Sequence, residues 1–113
     1  MILKETAQAH PRLFKNILGH MATNKKSLPF GKMIPDINPQ RLQVASVSEI
    51  LQRYTETHSG EFNITDFKVG DYYASISFQR VTGYLSGGGI TAIYKRMRND
   101  SVKFEKVDND WIS

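Results

Sequence analysis

The stretch Tyr72-Tyr73-Ala74-Ser75-Ile76-Ser77-Phe78-Gln79 decides the fold class of this chain, because its side chains alternate between apolar and polar. The apolar members Ala74, Ile76 and Phe78 would all point to one side of a β-strand. The alternate positions would form a polar face: Tyr73, Ser75, Ser77 and Gln79. We therefore predict a half-buried strand of the kind that antiparallel sheets use when only one side is covered.

The same period of two begins at Phe62, so residues 61–113 are predicted to form an antiparallel meander of four strands. In the first strand, Phe62, Ile64 and Asp66 are expected on one face. The stretch from Ile90 to Met97 carries apolar residues on both faces, which indicates a central strand of the sheet.

Two irregularities are expected in the second half of the meander. The last strand, Val102 to Ile112, changes phase between Phe104 and Val107, as a β-bulge requires. The run Ser86-Gly87-Gly88-Gly89 is expected to be a hairpin connection or a bulge before the third strand. A phosphate-binding loop would need a following Lys-Ser/Thr pair and a helix, which this run lacks.

Two amphipathic helices are predicted ahead of the meander. From His10 to Met21, apolar residues recur at helical spacing, and Pro11 suits the first helical position. A second helix should begin after Ser46 and extend to about Thr57, because Ser46 and Glu49 have the spacing of a capping box.

A proline-rich segment and a short strand are predicted between these helices. Residues 27–40 hold three of the four prolines, so regular structure is not expected there. A loop of this length is uncommon in a compact domain unless it binds something, although packing over the core is the more ordinary explanation. Residues 41–45 alternate in polarity and predict a short strand.

The predicted architecture is a single α+β domain of 113 residues, with an N-terminal helix and a second capped helix packed on a curved four-stranded antiparallel meander. Residues 1–40 would form a basic helix and the proline-rich loop, 41–60 the short strand and the capped helix, and 61–113 the meander. The chain has no cysteine, which excludes disulfides, thiolate metal sites and thiol nucleophiles.

The basic residues are concentrated at the start of the chain. Residues 1–34 carry six Lys or Arg side chains against Glu5, whereas residues 35–113 carry nine basic and ten acidic side chains. A basic N-terminal third suggests an acidic partner such as RNA or an acidic protein surface, and a solvated lysine-rich helix is the simpler alternative. No apolar run approaches the ~20 residues of a membrane span, so we expect a cytoplasmic protein without a membrane partner.

The titratable residues show no motif of a known reaction. The histidines His10, His20 and His58 lack metal-ligand spacing, and no metal or cofactor is predicted. His20 with Lys15 or His58 would suit a metal-independent ribonuclease, in which one group removes the proton of the ribose hydroxyl and another protonates the leaving oxygen. Three unrelated, exposed histidines are the simpler explanation.

A partner-binding surface is predicted from the polar strand face and the proline-rich loop. Its members are Tyr73, Ser75, Ser77, Gln79, Arg96, Arg98, Phe30 and Lys32. Aromatic and cationic side chains would suit a protein partner, or RNA through base stacking. A solvated sheet face without a partner is the alternative.

The stretches Tyr72 to Phe78, Gly89 to Lys95, Val102 to Phe104 and Trp111 to Ser113 resemble the cystatin-like and nuclear-transport-factor-two-like group of cone-shaped α+β folds. The resemblance implies a sheet curved around the first helix with a concave pocket between them. The group includes small-ligand enzymes, dimeric binding modules and bacterial immunity proteins that block a toxin. No catalytic Asp/His pair of the group can be placed on this sequence.

We therefore expect a non-enzymatic protein-binding module, with a bacterial toxin-immunity inhibitor as its most concrete form. A homodimer is compatible with the same features. The positive net charge is opposite to that expected of an inhibitor of a basic nuclease. This sign favours the alternative of a small basic ribonuclease or toxin domain. A small-ligand-binding protein that uses the interior of the cone is a further alternative.

Overall fold

The computed structural model describes residues 2–55, 62–81 and 87–112 of the chain. Four helices precede four strands in the described residues. The elements are α1 (Ile2–Ala9), α2 (Pro11–Thr23), α3 (Pro39–Val44), α4 (Val47–Thr55), β1 (Phe62–Val69), β2 (Tyr73–Val81), β3 (Gly87–Arg96) and β4 (Val102–Ile112). Short 3-10 turns occupy Lys25–Ser27, Gly31–Met33 and Arg98–Asp100.

The four strands form one antiparallel sheet in the order β1-β2-β3-β4, which confirms the predicted α+β meander. The third strand lies between β2 and β4, as its two apolar faces predicted. The predicted bulge in β4 is also present, because Tyr94 pairs with Phe104 while Ile93 pairs with Lys106. Glu105 is the extra residue.

The helices cover one face of the sheet, which we call the inner face. The Phe14 ring of α2 lies 5.1 Å from the Phe67 ring of β1. The Phe30 ring, from the segment after α2, lies 5.3 Å from Phe78 and 5.7 Å from Phe104. These aromatic contacts join the helical layer to three of the four strands.

The sequence-based prediction is wrong in the helical half at two places. Residues 41–45 are not a strand, because Pro39–Val44 is helical: the Asn38 Oδ1 accepts the amide hydrogen of Gln40 at 2.9 Å, and Pro39 takes the first turn. The alternation of this segment does not define a face, since Leu42 is buried while Val44 is 85% exposed. Helix α1 was not predicted at all.

The capped helix begins where it was predicted. The Ser46 Oγ accepts the amide hydrogen of Glu49 at 3.1 Å, which is the first half of a capping box. The Glu49 Oε1 in turn accepts the Ser46 hydroxyl at 3.2 Å. The side chains of Ile50 and Leu51 are buried on one side of the helix.

The glycine run at the start of the third strand also differs from its prediction. Gly87, Gly88 and Gly89 are part of β3 and pair with Val81, Arg80 and Gln79 of β2. A hairpin connection or a bulge was expected there, because glycine is common in both. The connection is wrong, whereas the pairing of β3 with β4 does shift between Gly89 and Ile90. Glycine also adopts extended backbone without difficulty, and the strand pairing on both sides decides its conformation here.

Candidate binding surface

The face of the sheet opposite the helices, which we call the outer face, carries the polar residues of β2. Their neighbours Ala74, Ile76 and Phe78 are at most 2% exposed on the inner face. Tyr73 on the outer face is 47% exposed. The remaining three residues of this row are half-buried: Ser75, Ser77 and Gln79.

Four exposed lysines lie on the outer face in the described residues. One of them, Lys68, lies opposite Ser75 and 3.6 Å from Asp66 Oδ2, and the other three lie on β3 and β4. The pairing of the strands places Tyr73 opposite Lys95, and Lys95 opposite Lys103. Lys106 lies opposite Ile93, one outward-facing position along β3 from Lys95. We call these four residues the lysine–tyrosine surface: Tyr73, Lys95, Lys103 and Lys106.

The direct opposition of Lys95 and Lys103 is electrostatically unfavourable, because like charges facing each other across neighbouring strands destabilise a sheet. Neither lysine has an ion-pair partner among the residues that the structure describes, and the same holds for Lys106. An exposed Glu105 stands in the adjacent bulge. The lysine–tyrosine surface therefore holds three positive charges that form no ion pair with any residue that the structure describes.

Carboxylates lie in the next row of the outer face. Asp66 pairs with Ser77, and Asp108 pairs with Thr91. Between them, the hydroxyls of Ser77 and Thr91 are hydrogen-bonded at 2.8 Å. The outer face is thus polarised along its strands, with lysines near the β1–β2 and β3–β4 turns and carboxylates one row further away.

The two turns beside the lysines are held together by Arg96. Its Nη1 donates a hydrogen bond to the Gly70 carbonyl at 2.7 Å, and its Nη2 lies 3.7 Å from Asp100 Oδ1. Helix α2 is also connected to the turn between β3 and β4, because the Asn16 side-chain amide donates a hydrogen bond to the Asp100 carbonyl at 2.8 Å. The Arg96 guanidinium therefore connects the two turns and is already engaged within the sheet. Arg98, by contrast, is exposed in the turn after β3.

The proline-rich loop does not extend the outer face. Phe30 is 3% exposed, and its ring packs on Phe78 and Phe104 from the inner side of the sheet. The ring is therefore part of the core and is not accessible to a partner. Lys32 is exposed, but it lies in the 3-10 turn that follows Phe30, away from Tyr73.

The histidine and lysine proposed for ribonuclease chemistry point in different directions. The Nδ1 of His20 lies 3.1 Å from the Tyr94 hydroxyl of β3, whereas the Lys15 Nζ donates to the Gln43 carbonyl of α3 at 3.4 Å. Five residues along a helix place two side chains about 140° apart. The third member of the proposed set, His58, lies outside the described residues.

The contact between His20 and Tyr94 is half-buried, and the burial changes the pKa values of both groups. Loss of water around the imidazole lowers the pKa of His20, and burial raises the pKa of the Tyr94 phenol. The two rings meet edge to face with centroids 5.2 Å apart. Neutral His20 is therefore the form that the fold accommodates.

We expect the free energy of unfolding to fall as the pH is lowered from about 7.5 through the ordinary histidine pKa of about 6.5. The pKa of His20 is lower in the folded state, so the unfolded chain binds more protons in this range and is favoured by acid. The His20→Gln variant should show a smaller loss in urea titrations at pH 7.5 and 5.5. His10→Gln serves as the control, and an unchanged pH dependence in His20→Gln would contradict the assignment.

The space between α2 and the sheet is filled by side chains. Six of the largest are at most 1% exposed: Phe14, Ile17, Phe67, Ile76, Phe78 and Tyr94. The two ligand-sized cavities that we find along the described residues lie at the periphery, one of about 630 Å³ between α3 and α4 and one of about 580 Å³ between α1 and β1. At these residues, core side chains therefore occupy the space between α2 and the sheet.

Among the described residues, no helix combines the length and apolarity needed to cross a membrane, and no three acidic or histidine side chains converge as metal ligands would. No protein-family model, curated protein or solved structure matches this chain.

Proposed function

We propose that the chain is a non-enzymatic protein-binding module that holds an acidic protein surface against its lysine–tyrosine surface. The observation that carries the proposal is the direct opposition of Lys95 and Lys103 without an ion-pair partner among the described residues. A carboxylate placed between the two ammonium groups would turn their repulsion into attraction.

The composition of the surface is suited to protein recognition. Tyrosine is enriched at interfaces because its ring buries a large area while its hydroxyl keeps a hydrogen bond. Tyr73 is 47% exposed on the outer face, and the exposed Tyr72 and Met97 flank the same end of the sheet. The backbone here belongs to paired strands, so little backbone conformational entropy is lost on binding.

A toxin-immunity inhibitor is one form of this function, and the charge of the surface defines the partner it requires. The toxin would present carboxylates to Lys95, Lys103 and Lys106. A second copy of the chain would instead place the carboxylates Asp66 and Asp108 against the lysines of its partner. Self-association is therefore one of the outcomes that the experiment below distinguishes.

The Lys103→Glu variant is expected to change stability and partner binding in opposite directions. Replacing the repulsive pair by an attractive one should raise the free energy of unfolding by about 0.2–1 kcal/mol. The same change should weaken binding of an acidic partner at least ~10-fold, because one attractive charge becomes repulsive. Urea denaturation and binding titrations measure the two effects. The matched control is Lys26→Glu, which makes the same charge change at an exposed residue of the turn after α2.

A zero-length carbodiimide cross-linker tests the proposal directly, since it joins a lysine amine only to a carboxylate in contact with it. The tagged chain is cross-linked in extract of its own cells, and the joined peptides are identified by mass spectrometry. Links from Lys95, Lys103 or Lys106 to carboxylates of one other protein, lost in Lys103→Glu and kept in Lys26→Glu, support the proposal. Links only to Asp66 or Asp108 of a second copy assign the surface to self-association and overturn it.

The ribonuclease alternative is tested on the same purified protein. Incubation with total RNA should leave the RNA intact. Cleavage that disappears in His20→Ala would overturn the proposal and favour the enzyme.

A further inference from the structure

A cleft of about 630 Å³ lies between α3 and α4, on the helical side of the molecule. This volume is within the range of small-molecule sites. Its floor is apolar: Leu42 and Ile50 are each 4% exposed, and the partly buried Ile37 and Ala45 pack beside them. We call this feature the helix cleft.

Two arginines line the helix cleft, and neither has a carboxylate partner among the described residues. Arg41 comes from α3 and Arg53 from α4. The Arg53 guanidinium lies 5.8 Å from the centroid of the Tyr54 ring, which also lines the cleft. Arginine near a helix C-terminus is favoured by the helix dipole, but the dipole does not explain why both guanidinium groups line one cleft.

The two carboxylates of the helix cleft are already engaged elsewhere. Asp36 forms a 2.8 Å ion pair with Lys25, which lowers the pKa of this carboxyl. The Glu49 Oε1 accepts the Ser46 hydroxyl at the start of α4. An anion that entered the cleft would therefore meet two guanidinium groups that form no ion pair with a described residue.

We infer that the helix cleft binds a small organic anion, namely a carboxylate with an aliphatic body. The apolar floor would cover the aliphatic chain, as in other small-molecule sites. The guanidinium groups would hold the carboxylate, because their paired N–H groups match its two oxygens. The inference is independent of the proposed function, since the helix cleft and the lysine–tyrosine surface lie on opposite sides of the sheet.

Decanoate and its neutral analogue decanol are the probes that separate charge from apolar contact. Binding is measured by calorimetry below the aggregation concentration of decanoate, and its location by NMR of the Ile37 and Ala45 methyl groups. Decanoate should bind saturably and shift both methyl signals. Each of Arg41→Gln and Arg53→Gln should weaken decanoate binding ~10-fold and leave decanol binding unchanged.

The control variant is Lys26→Gln, which removes one positive charge outside the cleft and should bind decanoate like the parent chain. Three results would overturn the inference. The first is no saturable binding of decanoate. The second is binding that both arginine variants retain in full. The third is binding with methyl shifts confined to residues outside the helix cleft.

Discussion

Replacing Phe14 by alanine is expected to lower the free energy of unfolding by about 3–5 kcal/mol, the usual range for a buried phenylalanine. The side chain is 0% exposed, and its ring lies 5.1 Å from Phe67. Phe14 therefore stands where α2 meets β1. The cavity left by the ring would lie inside the buried core, so the site has little freedom to collapse.

Urea denaturation followed by circular dichroism measures this effect. Small domains are stable by only about 5–15 kcal/mol, so Phe14→Leu provides a milder variant that should cost about 1 kcal/mol and stay folded. Tyr72→Ala is the surface control, because Tyr72 is 75% exposed, and its effect should stay within about 0.5 kcal/mol. A Phe14→Ala cost below 1 kcal/mol would mean that α2 is not docked on the sheet.

The sheet could be predicted because side chains that alternate between apolar and polar are compatible with few structures other than a half-buried strand. Ala74, Ile76 and Phe78 are buried on one face as expected, and the bulge in β4 was visible as a change of phase. The bulge in β1 was not predicted. The pairing shifts between Ile64 and Asp66, which turns Phe67 to the inner face in place of Asp66. One extra residue reverses every later side chain of a strand. The apolar residues do change phase between Ile64 and Phe67, which is the same sign that Phe104 and Val107 give in β4.

The helices of the first half were harder to predict, because short helices depend on tertiary contacts. Helix α1 has eight residues, and only Leu3 and Ala7 are buried, so its apolar pattern is too brief to recognise. Helix α3 has six residues. A local signal was nevertheless present at its start, since Asn38 before Pro39 is a favourable cap and first-turn pair.

The candidate binding surface was only partly accessible to sequence reasoning. Alternation identifies Tyr73 as a residue of the outer face, but it does not show that Lys95 stands opposite Lys103. That pairing depends on the turn between β3 and β4, in which Asn99 and Asp100 adopt left-handed backbone conformations, with φ of 57° and 60°. The helix cleft was not foreseen either, because it requires α3 to be a helix.

The second large effect on the free energy of unfolding is expected at Gly31, in the proline-rich loop. A Cβ at this position would overlap with the backbone carbonyl of Lys25, which cannot move without displacing the turn after α2. Gly31 also donates its amide hydrogen to the Leu28 carbonyl at 3.1 Å. Gly31→Ala should therefore lower the free energy of unfolding by about 3 kcal/mol, at the upper end of the cost of overpacking.

The matched control is Gly19→Ala, in the middle of α2, where an added Cβ meets nothing within 4 Å. Alanine is a better helix former than glycine, so this variant should gain about 0.5–1 kcal/mol. Opposite signs for the same substitution, measured by urea denaturation, would identify the loop around Gly31 as a packed part of the core that holds Phe30 against Phe78. A neutral Gly31→Ala would instead mean that the loop is free to move, which would restore it as a candidate for contact with a partner.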